Sequence, residues 1–457
     1  MEAIRENRMG TAPMFKLIVS MSLPAMFSML VQSLYNVVDS YFVAQISEEA
    51  LTAVSLAYPV QMLLVAVAVG TGVGINSVVS RRLGAGRQEE ADRAATHGIV
   101  LAILSWLAFA VLGLCFTGTF FHAFTQNANI LSMGSQYLYT VTLCSFGVFV
   151  EINMEKTLQA TGNMFYPMLF QLVGAVTNII LDPIMIFGLL GCPAMGVLGA
   201  AVATVIGQIL AMLFSLYVVF RKSHAVHITL KQFRFNGRTV RDIYAVGVPS
   251  IIMQSISSVL LVGLNAILIA FSEAAVSVLG VYYKLQSFVF MPVFGLTHGV
   301  MPIMGYNYGA RKRDRLLSAL KIGSVIAFGI MVVGTILFWV IPGPLLRIFN
   351  ASDAMLQIGI PALRIISLSF TGAAVGILLS TLFQAVGKGN YSLLMSALRQ
   401  LIVILPLAYL LSKIGLQPVW IAFPVAELVS LAAGVVLFYG LYKKHLVHLK
   451  APDLVQG

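Results

Sequence analysis

Charge is scarce in this sequence. Only 10% of its 457 residues are Asp, Glu, Lys or Arg, and 59% are hydrophobic, whereas about one-quarter of a soluble globular protein is charged. A mean hydropathy of +0.92 therefore excludes a water-soluble globule. The net charge of +11 does not indicate a nucleic-acid partner, because that function needs a basic patch on a folded soluble surface.

Cysteine and the usual catalytic patterns are also scarce. Cys115, Cys144 and Cys192 lie far apart, without CxxC or metal-ligand spacing, so they are interpreted as packing residues. The absence of HExxH, GxSxG and His-x4-Asp patterns argues against a membrane-embedded enzyme, and no Walker motif indicates nucleotide use. A selectivity-filter-like loop, which an ion channel would need, is absent too. We expect neither a cofactor nor a nucleotide.

Long apolar runs fill the chain instead. A membrane-spanning helix needs about 20 apolar residues, so this length accommodates about a dozen spans with short connections. The sequence predicts an all-α integral membrane protein with twelve transmembrane helices near residues 14–46, 51–80, 94–120, 133–155, 165–190, 195–220, 244–271, 275–307, 317–342, 358–384, 391–412 and 418–442.

The basic residues predict the orientation of these helices. With both termini cytoplasmic, 23 of the 28 Lys and Arg residues fall on the inner side, from Arg5 to Lys450. Only Arg347 and Lys413 fall in outer loops, as the positive-inside rule requires. The N-terminus carries no small-residue cleavage site and is expected to be retained. We expect a multi-pass protein of the cell (inner) membrane.

The two halves of the sequence repeat each other. An offset of 225 residues superposes Pro24 on Pro249, Gln61 on Gln286 and Gly74 on Gly299, among other identities. Six spans separate equivalent points, so the repeat is parallel, with a pseudo-twofold axis along the membrane normal. The predicted organisation is an N-lobe (residues 1–220), a cytoplasmic linker (221–243) and a C-lobe (244–457), an arrangement in which two six-helix bundles can rock against each other.

Ionisable residues within spans are costly, so their default interpretation is functional. Asp39 in the first span, Asp182 in the fifth and Thr204 in the sixth lie about 10 to 14 Å below the outer surface at 1.5 Å per residue. Three polar residues share the helical faces of the two acids: they are Gln32, Tyr35 and Asn178. Side chains at one depth can converge.

These residues predict a cation site. Carboxylate, amide and hydroxyl oxygens suit Na⁺, which could bind at Asp39, Asn178 and Asp182, whereas two neighbouring carboxyls could instead hold a proton. The alternative is a purely structural role in helix packing. The repeat argues against it, because Asp39 meets Leu264 and Asp182 meets Leu407 at the 225-residue offset.

Weaker signals concern the remaining charges and the cavity lining. Lys284, Arg364 and Arg399 could attract anionic groups, snorkel or pair with Glu427. Glu151 and Glu155, one turn apart near the inner end of the fourth span, could form an entry gate, and Lys156 could neutralise one of them.

Methionine is polarizable and adaptable, which suits promiscuous surfaces. Candidate substrate-cavity residues are Tyr35, Asn36, Glu151, Met26 and Met291. Further candidates are Met29, Phe149 and Phe290.

Several motifs, in order along residues 14–442, resemble the multidrug and toxic compound extrusion (MATE) family of antiporters, and within it the DinF/MepA-like prokaryotic branch. They are PAMFSMLVQSLYNVVDSYFVA, GTGVGINSVVSRRLGAGR, LQATGN with its partner FQAVGKGN, NIILDPIMIFG and MGVLGAAVATVIGQ.

The resemblance implies twelve helices in two lobes forming a V, and efflux of bulky, often cationic and aromatic organic compounds driven by inward Na⁺ or H⁺. Family motifs place cation-coupling residues at Asp39, Asn178, Asp182 and Thr204, with Gln32 nearby, and a first-helix hinge at Pro24. Another branch uses acids in the seventh and tenth helices. Here those neighbourhoods hold Asn265, Ile366 and Ser367, so no such site is expected.

The nearest alternative is a lipid-linked saccharide flippase, which shares the two-lobe plan. Such flippases tend to line the cavity with several basic residues for pyrophosphate. Here only Lys284, Arg364 and Arg399 qualify, and the first half supplies acids instead.

Overall fold

A computed structural model describes residues 7–231 and 233–449. Arg5, Lys450 and both chain ends, on which the predicted orientation partly rests, lie outside this range. The described part is helical, and ten of its helices are long and apolar enough to cross a membrane, or up to twelve spans if each of two bent pairs counts as one. The predicted all-helical fold class is confirmed.

The first half of the chain supplies seven helices, in chain order from α1 to α7. They are α1 (Met14–Ala44), α2 (Glu48–Gly84), α3 (Gln88–Phe124), α4 (Ala128–Leu143), α5 (Phe146–Ala160), α6 (Phe165–Phe187) and α7 (Val197–Arg221). A short turn, Arg8–Thr11, precedes α1.

The second half repeats this pattern. Its helices are α8 (Gly237–Leu268), α9 (Glu273–Gly309), α10 (Arg313–Val340), α11 (Asp353–Ser367), α12 (Ser369–Ala385), α13 (Gly389–Ser412) and α14 (Leu416–Leu446). The short helix Pro342–Arg347 follows α10, and α13 contains a π-helical turn at Leu398–Ile402.

Two predicted spans are broken rather than straight. The fourth consists of α4 and α5, which meet at a bend of 45°, and the tenth consists of α11 and α12, bent by 43°. The breaks fall at Cys144–Ser145 and at Leu368, nearly equivalent positions of the repeat. Hydropathy gives no sign of them, because apolar residues continue on both sides of each break.

The helices group into two compact units, and the group boundaries cut α1 and α8. The first unit contains Phe27–Arg82 and Arg87–Ile251; the second contains Leu83–Gly86 together with residues 7–26 and 252–449. Each cut falls two residues after a proline, Pro24 in α1 and Pro249 in α8. Proline removes one backbone hydrogen bond from a helix and favours a change of direction there.

Glycine allows close helix packing within each unit. In the first unit, a Cβ on Gly70 would lie 2.8 Å from the backbone nitrogen of Ile251. In the second unit, a Cβ on Gly295 would lie 2.6 Å from Cα of Met26. Both glycines and both partners are related by the 225-residue offset, so the same backbone contact is made twice.

The first unit contains an apolar cluster in which Phe149 and Phe109 pack with Met154 and Leu64. Phe149, one of the candidates for the cavity lining, is 2% exposed. Many aliphatic side chains on the outer faces of the helices stay exposed, Val262 and Val436 among them. An apolar surface of this kind suits a lipid environment.

Candidate functional site

Two acids of the first unit meet inside the bundle. The carboxyl groups of Asp39 on α1 and Asp182 on α6 lie within hydrogen-bonding reach of each other. Asp182 is fully buried, and the Oδ1 atom of each acid is buried without any other partner. Since a hydrogen bond between two carboxyl groups needs a hydrogen, one proton shared by the pair fits this geometry.

The Asn178 amide joins Asp182 to Thr204. Asn178 precedes Asp182 by one turn of α6 and is 2% exposed. With its NH₂ toward Asp182, it donates to Oδ2 at 2.8 Å, and its oxygen accepts from the Thr204 backbone N–H and from Oγ1, each at 3.0 Å. This orientation satisfies both ends of the amide.

Local sequence explains why this part of α6 carries the site. Pro183 follows Asp182 inside the helix and leaves the carbonyl of Ile179 without its backbone donor. Gly207 on α7 and Gly174 on α6 let the two helices approach, since a Cβ on Gly207 would lie 2.7 Å from the Gly174 carbonyl oxygen. Close approach places Thr204 against Asn178.

Two tyrosines and a glutamine complete the polar group. Tyr35, one turn before Asp39, lies close to Thr204. The Tyr137 hydroxyl on α4 donates to Gln61 Oε1 on α2 at 3.2 Å, and Asp39 acts electrostatically on Tyr137. Gln61 and Tyr137 are absent from the residues predicted for the site. The recurrence of Gln61 as Gln286 in the repeat is the one signal that could have drawn attention to it.

The other predicted residues lie outside this group. Gln32 is exposed and, among the described residues, forms no hydrogen bond with the two acids; Asn36 is exposed as well. Pro24 lies within α1. Met26 and Met291 belong to different helices of the second unit, and both are half-buried. Glu151 is buried on α5 in a separate polar cluster.

The charged residues of the second unit have partners of their own. Arg399 Nε lies 2.9 Å from Glu427 Oε2, one of the arrangements considered from the sequence. Lys284 is exposed, with Nζ 5.6 Å from the centre of the Phe349 ring. Arg364 Nε donates to the Trp339 carbonyl at 3.3 Å.

Comparison with known proteins decides the family. The MatE family profile matches residues 24–184 and, a second time, residues 249–410, so the internal repeat is matched as well. The chain belongs to the MATE family. Staphylococcus aureus (strain MRSA252) has a relative, multidrug export protein MepA, that is 26% identical over 98% of both chains.

Solved structures of MATE and related transporters share the fold. An outward-facing multidrug resistance MATE family transporter of the MOP superfamily superposes with a TM-score of 0.90 at 28% identity, over 97% of this chain and 100% of that one. A MOP superfamily transporter from Pyrococcus furiosus, in which reverse polarity of the binding pocket suggests a different function, superposes with a TM-score of 0.90 at 27% identity and the same coverage.

These similarities confirm the predicted family and its twelve-helix fold. This MATE-family chain is a multi-pass membrane transporter, and its relatives are transporters rather than enzymes. Among the residues that the structure describes, no three His, Cys, Asp or Glu side chains cluster as a site for a metal ion would require.

Proposed function

We propose that this transporter exports bulky organic compounds, many of them cationic and aromatic, in exchange for inward movement of H⁺ or Na⁺. Export of this class of compound is supported by the similarity to multidrug export protein MepA over nearly the whole chain. Cation coupling is supported by one observation above all: Asp39 and Asp182 interact directly inside an apolar bundle.

The chemistry of the acid pair favours a bound cation. Two ionised carboxylates in contact repel each other strongly where the surroundings are apolar. A shared proton removes one of the two charges, and H⁺ is our first candidate for the coupling ion. Na⁺ is the alternative, because the free Oδ1 atoms, the Asn178 oxygen and the Thr204 hydroxyl are hard oxygen ligands of the kind that such cations prefer.

Coupling requires that the cation and the drug weaken each other's binding. Linkage makes this effect reciprocal, so that a tenfold loss of drug affinity on cation binding corresponds to about 1.4 kcal/mol and to the same tenfold loss of cation affinity. We propose that loading of Asp39 and Asp182 changes α1 around Pro24, which lowers drug affinity and favours release. Alternating access then exposes drug and cation in turn to the two sides.

The drug contacts are proposed for side chains near this pair and on the second unit. Tyr35 and Asn36 offer aromatic and polar surface on α1, and Met26 and Met291 offer adaptable apolar surface. The basic residues of the inner loops orient the protein with its termini in the cytoplasm. We place the transporter in the cell (inner) membrane.

Dye transport in vesicles tests the proposal. Purified transporter is reconstituted, and efflux of a fluorescent cationic dye is followed with an imposed pH gradient and then with an imposed Na⁺ gradient. We expect the pH gradient to drive efflux, and Asp39→Asn and Asp182→Asn each to abolish the gradient dependence. Glu49→Gln is the matched control, because Glu49 contacts only exposed Asn127 and Asn129 at the outer end of α2.

Three outcomes would overturn parts of this proposal. Gradient-driven efflux that survives both Asp→Asn substitutions excludes the acid pair as the coupling site. A response to Na⁺ alone excludes H⁺. Transport of a lipid-linked saccharide without dye efflux identifies a flippase instead.

A further inference from the structure

A second buried polar cluster lies in the first unit, on the inner part of α5. Lys156 Nζ lies 3.0 Å from Glu155 Oε1 and 3.1 Å from Gln159 Oε1. Gln159 donates to Glu155 Oε1 at 2.7 Å, and Gln171 on α6 donates to Glu155 Oε2 at 2.8 Å. Glu155, Lys156 and Gln159 are each at most 4% exposed. Glu155 is therefore fully engaged, by Lys156 and by two amides.

Glu151 lies one turn earlier on α5 and has no such partner among the described residues. Its side chain is 8% exposed, and Oε1 is buried without a hydrogen-bond donor. Glu155 repels its charge and Lys156 attracts it, but the single lysine already pairs with Glu155. Two acids thus share one base in an apolar interior, and the uncompensated negative charge calls for a cation or a proton.

Among the described residues, Glu155 and Lys156 are the charged groups that act on Glu151. The neighbouring helices contact other residues of α5 through neutral residues: Gly72 of α2 lies against Lys156, Gly98 of α3 against Asn153, Gln171 of α6 against Glu155, and Gln208 of α7 against Gly147. The balance of charge around Glu151 is therefore set within α5 itself.

Helix α6 contributes a residue to both the cluster and the acid pair, at different depths. Gln171, which contacts Glu155, precedes Asp182 on α6 by eleven residues, or about 16 Å along the helix axis. Between them, the Asn178 side-chain oxygen accepts from Thr204, and Gln208 lies one turn beyond Thr204 on α7. The Gln208 and Gln171 Oε1 atoms are buried and lack donors, as Glu151 Oε1 does.

We infer that Glu151 is a second proton-binding site of this transporter, at the inner end of the route by which the coupling proton leaves Asp39 and Asp182. This inference rests on the proposed function. The proton shared by the acid pair passes to the Glu151 carboxylate along the side of the bundle lined by Asn178, Thr204 and Gln208. Glu151 then gives it to the inner aqueous phase, and Glu155 and Lys156 remain an ion pair throughout.

Infrared difference spectroscopy of the full-length reconstituted protein tests the site directly. If drug and proton compete as proposed, addition of a cationic dye at fixed pH releases protons. Protonated carboxylic acids are identified by their carbonyl band. We expect Glu151→Gln to remove one carbonyl component, and Asp39→Asn to remove a different one. Thr157→Val is the matched control, since Thr157 is buried on the same helix and donates only to the Asn153 carbonyl.

Transport measurements then separate the two proposals. We expect Glu151→Gln to lower pH-gradient-driven efflux at least about tenfold, because a neutral amide cannot carry the proton, while Glu151→Asp retains a titrating group and most of the rate. An unchanged infrared spectrum and an unchanged pH profile in Glu151→Gln, with coupling lost in Asp39→Asn, would overturn the second site alone. Intact coupling in Asp39→Asn would instead overturn the proposed function.

A purely structural role for Glu151 predicts a different pattern. In that case Glu151→Gln lowers the thermal stability of the protein and slows efflux equally at every pH, without loss of an infrared component. That pattern contradicts the inference as well.

Discussion

The backbone of Met26 lies against Gly295 with no room for a side chain between them: a Cβ added at Gly295 would come within 2.6 Å of Met26 Cα. Ile251 and Gly70 make the equivalent contact in the first unit. Each contact joins a helix directly beside its proline to a partner helix of the same unit.

Substitution of Gly295 by alanine is therefore expected to destabilise the protein. A backbone atom cannot move aside as a flexible side chain can, so the overpacking cost should be about 1–3 kcal/mol. Thermal unfolding in detergent, followed by tryptophan fluorescence, measures the change. Gly280→Ala is the control on the same helix, because nothing lies within 4 Å of a Cβ added there; equal melting temperatures for the two variants would contradict the contact.

Removal of the Asn178 amide should weaken cation loading rather than folding alone. Asn178→Ala leaves Asp182 Oδ2 without its donor and Thr204 without its acceptor, and one buried unsatisfied polar group costs about 1–3 kcal/mol. We expect Asn178→Ala to shift the pH dependence of dye efflux. Asn129→Ala, at the exposed end of α4, is the control and should behave as wild type. A pH profile identical in both variants would show that Asn178 does not act on the acid pair.

His97 holds the segment that joins α7 to α8. Its Nε2 lies 2.9 Å from the Asn236 backbone nitrogen, its Nδ1 lies 2.8 Å from the Arg93 carbonyl, and its ring packs on Phe233 at 4.9 Å. We expect His97→Ala to speed amide hydrogen exchange in the described residues of this segment, because both the acceptor and the ring contact are lost. His122→Ala, at the outer end of α3, is the control and should leave exchange unchanged.

The Arg399–Glu427 pair should behave as a coupled unit. Removal of either partner alone leaves the other buried and unpaired, which costs about 3–5 kcal/mol of stability for a fully buried pair. The loss should be smaller here, because one-fifth of the Arg399 side chain is exposed. Arg399→Leu combined with Glu427→Leu should be more stable than either single variant. Thermal unfolding of the four proteins in a double-mutant cycle measures the coupling, and additive losses would show that the two side chains are independent.

Much of the architecture could be predicted because a membrane leaves few options. Charge-poor runs of about 20 residues in lipid must be helical, and identities such as Pro24 with Pro249 indicated the repeat directly. The start of α8 at Gly237, seven residues before the predicted span, could not be read from hydropathy. These seven residues are largely polar and include Arg238, Arg241 and Asp242. The start of the helix is supported by Asn236, whose side chain accepts from the Thr239 backbone N–H at 3.1 Å.

The candidate site was only partly accessible from sequence for a related reason. Depth along a helix can be counted in residues, and Asp39, Asp182 and Thr204 could be assigned to one level in this way. The rotation of one helix about its axis relative to another cannot be counted, so Tyr137 and Gln61, which come from α4 and α2, were missed. Gln32 shares a face of α1 with Asp39, which predicts a position near the cation site, yet Gln32 is exposed.

The broken spans carry information about the history of the chain. A bend near Cys144 that reappears near Leu368 is most simply explained by duplication of a six-span unit that already contained it, since two copies would otherwise have had to acquire it independently at matching positions. Asp39 and Asp182, which face leucines in the other copy, are the mark of one copy only. The bend is thus common to both halves, whereas the pair of acids that we propose to couple transport to an ion gradient belongs to one half alone.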